Sequence, residues 1–237
     1  MEASTLKRRI LAIIPARNEE AMIARVLRGV LPQVSAVLVV DDGSTDRTVP
    51  VASRCGAWVI SPPRTGGKGL ALRAGLQFAE ENGFDAVVLM DGDGQHDPGD
   101  LDGFLERARQ TEGTVLIGNR FPGAFRRMPR GRLWVNRAMS QVLTLMTGLD
   151  LPDSQCGFRY LPRAAYAGVA FRARHYEIET EMILHWARTG IPVQFVPIRC
   201  VYPPGGHSGI RPVADALRWL WFLARASKDA FIPLREG

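Results

Sequence analysis

The first half of the chain alternates between short apolar runs and segments with apolar residues at helical spacing. The runs are rich in β-branched residues, which predicts strands buried on both faces of a sheet. The intervening segments repeat apolar residues every three or four positions, which is typical of amphipathic helices. We predict strands at residues 10–15, 36–40, 57–60, 86–90 and 114–117, and helices at 19–31, 46–54, 68–81 and 98–109. This alternation predicts an α/β fold with a mostly parallel, helix-covered sheet, whose ligands bind beyond the carboxyl ends of the strands.

The second half is less regular. Residues 121–132 are rich in Pro, Gly and Arg and predict a mobile loop, whereas residues 153–160 are turn-rich and then partly extended. Helical spacing recurs at residues 133–146, 177–188 and 213–230, the last of which is amphipathic and rich in Trp. Residues 193–202 predict an extended segment, in which Pro197 favours a sheet edge or a bulge because proline has no amide hydrogen to donate. No linker separates the halves, so we predict one domain.

Composition narrows the class of protein. A chain of 237 residues can form one sizeable α/β domain. It contains no secretory signal and no run near the roughly 20 apolar residues that cross a bilayer. Cys55, Cys156 and Cys200 lie far apart, which predicts reduced thiols in a cytoplasmic protein, not disulfides or a zinc site. The net charge of +6 suits nucleic acid, anionic lipid or a phosphorylated substrate alike.

Two acidic clusters directly follow predicted strands. One is Asp-Asp-Gly-Ser at residues 41–44, and the other is Asp-Gly-Asp at residues 91–93. Closely spaced carboxylates raise each other's pKa unless a cation or a hydrogen-bond donor compensates. A Mg²⁺ ion takes one or two protein carboxylates and fills its other positions with substrate phosphate and water. The alternative is that each Asp-Gly pair marks an ordinary turn.

A Thr-Gly-Gly-Lys-Gly segment at residues 65–69 opens the third predicted helix. Glycine lets backbone amides approach an anion, and a helix N-terminus favours negative charge. The segment is not a Walker A loop, and the first strand is followed by Pro-Ala-Arg-Asn-Glu at 15–19, not by G-x-G-x-x-G, which argues against a dinucleotide oxidoreductase. The segment alone is also compatible with a simple helix cap.

Together these motifs resemble glycosyltransferase family 2, which has the GT-A fold, a Rossmann-like, mostly parallel sheet flanked by helices. The order and spacing of residues 14–19, 39–48, 67–69 and 91–98 carry this resemblance. A narrower resemblance to the dolichyl- and polyprenyl-phosphate mannosyl- and glucosyltransferases rests on segments 118–120, 153–159, 177–181 and 206–211. The resemblance divides the domain into a nucleotide-sugar-binding half, residues 1–120, and an acceptor-binding half, residues 121–237, that ends in the amphipathic helix.

The resemblance implies a role for each matching residue. The nucleotide would contact Pro15, Arg17, Glu19, Asp42, Gly67, Lys68 and Asp91. Asp91 and Asp93 would hold Mg²⁺ or Mn²⁺ with the diphosphate, and Gln95 would lie beside them. The residues expected to act in catalysis are Asp93, Arg120, Asp153 and Arg211, with both arginines facing phosphate groups. The acceptor would contact Gln155, Glu177, Glu179 and Ser208. His96 follows the acidic cluster and is a further candidate for the metal site.

The implied reaction is an inverting transfer of a hexose from UDP-glucose or GDP-mannose to a polyprenyl or dolichyl phosphate. The alternative is transfer to a soluble hydroxyl acceptor, which requires a carboxylate base, and Asp153, Glu177 and Glu179 are then candidates. An alternative reading of Glu177, Glu179 and Glu181 is an exposed helix start, where acids suit the helix dipole. Nucleic acid is not an expected partner, because no basic helix or RNA-binding aromatic motif is present.

A membrane surface is the remaining expected partner. Arginines cluster within residues 120–137, and the C-terminal helix carries a broad apolar face beside basic residues. The alternatives are a solvated loop, and a helix that packs on the domain or on a second subunit. The transmembrane helices that many relatives carry at the C-terminus are missing from this sequence. We therefore expect a cytoplasmic protein that binds peripherally to the cytoplasmic face of the membrane.

Overall fold

A seven-stranded sheet forms the centre of the fold. The computed structural model describes residues 8–63, 65–124, 130–201 and 218–225. The strands are β1 (Ile10–Ala16), β2 (Ala36–Asp41), β3 (Trp58–Ile60), β4 (Ala86–Leu89), β5 (Val115–Asn119), β6 (Arg159–Pro162) and β7 (Val193–Pro197). Their order is β3-β2-β1-β4-β6-β5-β7, and every neighbouring pair is parallel except the two that involve β6. The predicted α/β class with a mostly parallel sheet is confirmed.

Helices cover the sheet, as the apolar strand sequences predict. They are α1 (Ile23–Val30), α2 (Thr48–Arg54), α3 (Lys68–Glu81), α4 (Leu101–Gln110), α5 (Phe121–Ala124), α6 (Arg130–Thr147) and α7 (Ile178–Thr189). Strands β1, β2 and β4 are almost completely buried because α3 packs against all three of them. Gly75 allows the close approach, since a Cβ atom there would lie 2.4 Å from Cγ2 of Ile13.

Hydrogen bonds to side chains accompany the late starts of two helices. Helix α1 begins at Ile23 and not at residue 19, because the Glu19 amide donates to Thr48 Oγ1, the Glu20 amide donates to Asp46, and residues 20–22 form a turn. Helix α2 begins at Thr48, whose amide donates to Asp46 over 2.9 Å. The predicted helix at 98–109 divides into a 3₁₀ turn, Pro98–Asp100, and α4. Helix α3 begins and ends where the sequence predicts.

The prediction of a loop over residues 121–132 is wrong at both ends. Residues 121–124 form α5, where the Phe121 amide donates to the side chain of Asn119 over 3.1 Å. Helix α6 begins at Arg130, three residues before the predicted start, because the Pro- and Gly-rich composition hid its first turn. The predicted edge position of residues 193–202 is confirmed for β7, which ends at Pro197.

Residues 207–237 form a compact unit separate from residues 1–206. Of the predicted helix at 213–230, residues 218–225 are described and are helical, and Leu220 and Trp221 are exposed there. Within the described ranges, no helix is both long enough and apolar enough to cross a membrane. The three cysteines are free thiols, as predicted. The division of function at residue 120 stays a prediction.

The direction of β6 brings distant parts of the chain to one edge of the sheet. Because β6 is antiparallel to β4 and β5, its first residue, Arg159, pairs with Leu89 and Ile117 near the carboxyl ends of those strands. The segment that precedes β6 therefore lies at the edge where β1, β2, β4 and β5 end. This is the ligand-binding edge of parallel α/β sheets.

Candidate active site

The loops that follow β1 and β2 are bound to each other. Asn18 has a φ of +56°, a left-handed conformation in which asparagine is enriched, and its side-chain oxygen accepts from the Thr45 amide over 2.8 Å. The Asn18 amide donates to Ser44 Oγ over 3.0 Å, and the Glu19 amide donates to Thr48 Oγ1 over 2.7 Å. These bonds fix Pro15, Arg17 and Glu19, which the sequence predicts as nucleotide contacts, relative to the acidic cluster after β2.

Asp42 binds the backbone directly before helix α3. Its carboxylate is almost buried and accepts from the amides of Gly66 (2.8 Å) and Gly67 (3.0 and 3.2 Å). Gly67 has a φ of +92°, which only glycine adopts without strain. The two amides that the sequence suggested for a ligand anion are therefore occupied by a carboxylate of the protein itself.

Lys68 joins the fourth strand's acidic cluster to helix α7. Its Nζ lies 2.6 Å from Asp91 Oδ1 and 2.8 Å from Glu179 Oε1. Burial lowers the pKa of Lys68, but the two carboxylates outweigh it and raise the pKa above its ordinary value. Burial likewise raises the pKa of Asp91, and Lys68 outweighs it, so that Asp91 is held ionised. The pair leaves no room for a side chain at Gly157, where a Cβ atom would lie 2.8 Å from both groups.

Glu19, Asp91 and Asp93 concentrate negative charge beside this pair. Burial, followed by the charges of Asp93 and Asp91, raises the pKa of Glu19 to about 7. Asp93 Oδ1 accepts from the Gln95 amide over 2.9 Å, which holds the turn after β4. Carboxylate oxygens suit Mg²⁺ or Mn²⁺, but among the described residues no three His, Cys, Asp or Glu side chains form a closed metal cluster. A cation held by Asp91 and Asp93 would thus need further ligands from a bound substrate or water.

The raised pKa of Glu19 gives a prediction about stability and pH. The folded-state pKa, about 7, lies above the ordinary value of 4.5, so ionising Glu19 costs stability as pH rises between these values. We expect Glu19→Gln to be more stable than the wild type at pH 8, by about 1–3 kcal/mol, and to gain nothing at pH 4. Urea unfolding at both pH values measures this. Glu81→Gln, at an exposed position, is the control, and parallel pH profiles for wild type and Glu19→Gln would contradict the prediction.

Arg120 and Asp153 form a buried ion pair. Arg120 follows β5, Asp153 precedes β6, and their side chains are only 5% and 0% exposed. The guanidinium donates to both carboxylate oxygens over 2.8 Å, and the Arg120 amide adds a bond of 3.0 Å. Burial lowers the pKa of Arg120, but Asp153 outweighs it and raises the pKa. The arginine and the aspartate that the sequence predicts as separate substrate contacts are thus bound to each other.

Two glutamates at the start of α7 have incomplete hydrogen bonding. Oε2 of Glu177 and Oε2 of Glu179 are buried, and neither has a hydrogen-bond donor within the described part of the chain. Glu179 is 4% exposed, so the reading of this residue as part of an exposed helix start is wrong. Gln155, half-buried, donates to Ser154 Oγ over 3.0 Å. Buried acceptors without donors indicate a place where a ligand can supply them.

His96 lies beneath the acidic cluster. It is 3% exposed, and burial lowers its pKa to about 4, so the imidazole is neutral at physiological pH. Its Nδ1 accepts weakly from the Asp91 amide over 3.5 Å, and its ring lies 5.7 Å from that of Phe158. Its part in a metal site stays a prediction. Ser208 and Arg211, predicted for the acceptor and for catalysis, lie outside the described residues.

Sequence reasoning missed two connections in the predicted acceptor-binding half. Arg159 is fully buried at the start of β6, although it belongs to a motif that the resemblance uses. Ser140 of α6 accepts from the Ser154 amide over 2.9 Å and so ties α6 to the segment before β6. The sequence marks Arg159 only as a charged residue at the start of a short apolar run. Nothing in the sequence identifies the hydrogen-bond partners of Arg159 or Ser140.

Comparison with known proteins gives a consistent family. A family model described as glycosyl transferase family 2 matches residues 11–169. The chain is 33% identical to an undecaprenyl-phosphate mannosyltransferase of Micrococcus luteus, over 89% of this chain and 93% of that protein. It is 28% identical to a UDP-N-acetylglucosamine–dolichyl-phosphate N-acetylglucosaminyltransferase of Methanococcus voltae, over 81% and 86%.

Solved structures agree on the fold. The glucosyl-3-phosphoglycerate synthase of Mycobacterium tuberculosis in complex with UDP superposes with a TM-score of 0.74 at 24% identity, covering 96% of this chain and 82% of that chain. The same enzyme in complex with Mn²⁺ and UDP-glucose gives a TM-score of 0.73 at 23% identity, covering 96% and 81%. At this level of identity the likeness establishes the GT-A fold alone.

Proposed function

This chain belongs to glycosyl transferase family 2, and from that premise we propose that it transfers a hexose, with inversion, from a nucleotide-sugar to a polyprenyl phosphate. One observation carries the proposal. Carboxylates from the loops after β1 and β4 meet at the ligand-binding edge of a chain that is 33% identical, over nearly its full length, to an undecaprenyl-phosphate mannosyltransferase. That edge unites carboxylates suited to the divalent cation of a diphosphate with buried groups suited to a sugar.

The donor end is proposed to lie across the loops after β1 and β2. Pro15, Arg17, Glu19 and Asp42 would line the pocket for UDP-glucose or GDP-mannose. The bonds between these two loops support this role, because a preformed wall reduces the ordering that binding would otherwise require. Asp42 would act partly through the Gly67 loop, which it holds in place. The fold neighbour with UDP-glucose supports a nucleotide-sugar as the donor class.

Asp91 and Asp93 are proposed to hold Mg²⁺ or Mn²⁺ together with the diphosphate. The donor set fits such a cation, because the ligands are carboxylate oxygens and because burial, followed by the charges of Asp93 and Asp91, raises the pKa of the neighbouring Glu19 to about 7. When bound, a divalent cation supplies positive charge that stabilises the departing nucleoside diphosphate. Lys68 contributes by keeping Asp91 ionised, and Asp93 presents the second carboxylate. The Mn²⁺ in the solved neighbour is consistent with this choice of metal.

The acceptor end is proposed to lie between α7 and the segment before β6. A phosphate acceptor is ionised at pH 7 and needs no strong base, because its second pKa is about 6. Oε2 of Glu177 and Oε2 of Glu179 would accept hydrogen bonds from hydroxyl groups of the transferred hexose, and Gln155 would add a polar contact. For a hydroxyl acceptor, the base would be one of these glutamates, because Arg120 occupies both oxygens of Asp153.

Helix α6 supports binding at a membrane surface. Trp134 and Leu145 are 70% and 86% exposed, and Val135, Val142 and Met146 are also exposed along this helix. The sequence at 120–137 contains several arginines and no acidic residue. An apolar helix face in a segment rich in basic residues is the pattern of proteins that bind anionic bilayers. We propose that this face brings the active site to its lipid substrate.

A donor and acceptor screen tests the proposal. Purified protein with Mg²⁺ or Mn²⁺ is incubated with UDP-glucose, GDP-mannose and other nucleotide-sugars, and with undecaprenyl or dolichyl phosphate in anionic vesicles. We expect transfer to lipid from one donor, measured as an organic-extractable radiolabelled product. Transfer only to a soluble hydroxyl compound would favour the alternative acceptor, and cleavage of no donor would reject the proposal.

A variant of α6 distinguishes an effect on membrane binding from an effect on catalysis in the same screen. The double variant Trp134→Ser/Leu145→Ser removes two strongly exposed apolar side chains and should fold normally. We expect weaker binding to vesicles and slower transfer to vesicle-borne lipid, with unchanged transfer to a short-chain acceptor dispersed in detergent. Equal losses with both acceptors would contradict a role in membrane binding.

A further inference from the structure

Arg159 binds two segments of the acceptor half at once. Its side chain is completely buried at the head of β6. The guanidinium donates to the carbonyl oxygens of Ser154 (2.8 Å) and Cys156 (2.9 Å), in the segment before β6. It also donates over 3.0 Å to the carbonyl oxygen of Glu179, in the first turn of α7. One side chain therefore spans two parts of the chain that come together only in the folded protein.

The chemistry of these contacts favours a geometric role for Arg159. Its hydrogen-bond acceptors in the described part of the chain are these three carbonyl groups and the sulfur of Met182, and no carboxylate bonds to it. Burying a cation is costly, and an apolar residue would fill the same volume without that cost. The planar guanidinium, however, offers five donors in a fixed fork, which lysine or methionine does not. The distinctive contribution of Arg159 is thus to fix the distance between the segment before β6 and the first turn of α7.

Both segments contact the same ion pair of the donor half. Gly157, next to the carbonyl of Cys156, lies against Lys68 and Asp91 so closely that a Cβ atom would be 2.8 Å from each. Glu179, whose carbonyl binds Arg159, places its carboxylate 2.8 Å from Lys68 Nζ. Arg159 thereby closes a ring of contacts that runs through Glu179, Lys68, Gly157 and Cys156. Movement of either segment would change where the acceptor carboxylates lie relative to Asp91.

We propose that Arg159 is a positioning residue for glycosyl transfer: it fixes residues 154–157 and the first turn of α7 relative to Asp91 and so sets the distance between acceptor and donor. This inference rests on the proposed function. Misplacement of reacting groups by about 1 Å can reduce a rate about 100-fold. The loops that form the proposed donor pocket are bound by their own hydrogen bonds, in which Arg159 has no part.

Arg159→Lys and Arg159→Met test the proposal by a comparison of kcat with KM. We expect kcat to fall about 100-fold in both variants, with KM for the nucleotide-sugar changed by less than about twofold. Leu27→Ala, which truncates a fully buried side chain of α1, is a control for lost stability. A fall in kcat no larger than that of Leu27→Ala, compared at equal distance below each melting temperature, would overturn the proposal.

Hydrogen exchange provides a readout that needs no substrate. In Arg159→Lys we expect faster amide exchange at residues 154–158 and 178–182, with unchanged exchange in β1 and β2. Unchanged exchange in the first two segments would reject the positioning role, even if transfer is slow. If the wild-type protein transfers no sugar but the exchange pattern appears, the proposed function fails and the structural link stands. If neither variant folds, Arg159 is a folding determinant and the positioning role is rejected.

Discussion

Asp93→Asn is expected to lower the rate of hexose transfer about 100- to 1,000-fold while the fold survives, which is the scale seen when one electrostatic contact to a transition state is removed. Under the proposed function, Asp93 helps to hold the cation beside the departing diphosphate. Asparagine keeps the oxygen that accepts from the Gln95 amide over 2.9 Å, so the turn after β4 stays closed. What is lost is one negative charge, in a cluster that also contains Glu19 and Asp91.

Initial rates at several concentrations of Mn²⁺ measure this effect. We expect the variant to need more Mn²⁺ for half-maximal activity and to reach a lower maximum, with an unchanged circular dichroism spectrum and melting temperature. Asp102→Asn, at an exposed position on α4, is a matched control that should behave as the wild type. An Asp93→Asn enzyme with normal activity and normal Mn²⁺ dependence would remove the metal role proposed for this residue.

Asp153→Ala is expected to destabilise the protein by about 3–5 kcal/mol, because it leaves the buried guanidinium of Arg120 without its partner. The double variant Arg120→Met/Asp153→Leu removes both charges and fills the volume with apolar atoms. We expect it to regain most of the lost stability, since replacing both members of a buried pair is often neutral. We also expect its transfer activity to stay below about 1% of the wild-type value, because the cation that follows β5 and the acid that precedes β6 are both removed.

Urea unfolding of the wild type, Arg120→Met, Asp153→Leu and the double variant forms a complete thermodynamic cycle. The cycle isolates the interaction between Arg120 and Asp153 from the effect of each side chain alone. A single Asp153→Ala variant as stable as the wild type would contradict the buried pair. A double variant that is both stable and fully active would mean that the pair supports only the fold, and both residues would leave the list of proposed catalytic groups.

Much of the fold was predictable because the sequence patterns that indicate its strands and helices are local. The bounds of α3 follow from a glycine with positive φ at one end and a continuous helical pattern after it. The parallel core follows from strands with no polar positions, and the edge position of β7 from Pro197. The beginning of α1 was missed because the amides before it donate to side chains that lie beyond β2 in the chain, which single-segment patterns do not reveal. The beginning of α2 was missed because Asp46 lies before the helix and accepts from the Thr48 amide.

The candidate site was predictable as a set of residues, but not as a set of contacts. The sequence placed carboxylates at strand ends, yet it did not indicate that Lys68 would bind Asp91 and Glu179 together. Arg120 and Asp153 are 33 positions apart, and each was assigned to substrate because neither motif shows the other as its partner. The direction of β6 was equally hidden, because side chains alternate in the same way in parallel and antiparallel strands.

The antiparallel course of β6 also bears on how this fold can diversify. A parallel strand would require the chain to travel back along the sheet before re-entering it. Here the chain leaves the sheet at the end of β5 and returns to it at the start of β6, at the same edge, so residues 120–158 form a connection whose two ends lie close together. The entropic cost of lengthening such a connection grows only slowly with its length. Under the proposed function, this stretch can therefore be remodelled for new acceptors while the predicted nucleotide-sugar-binding half is kept.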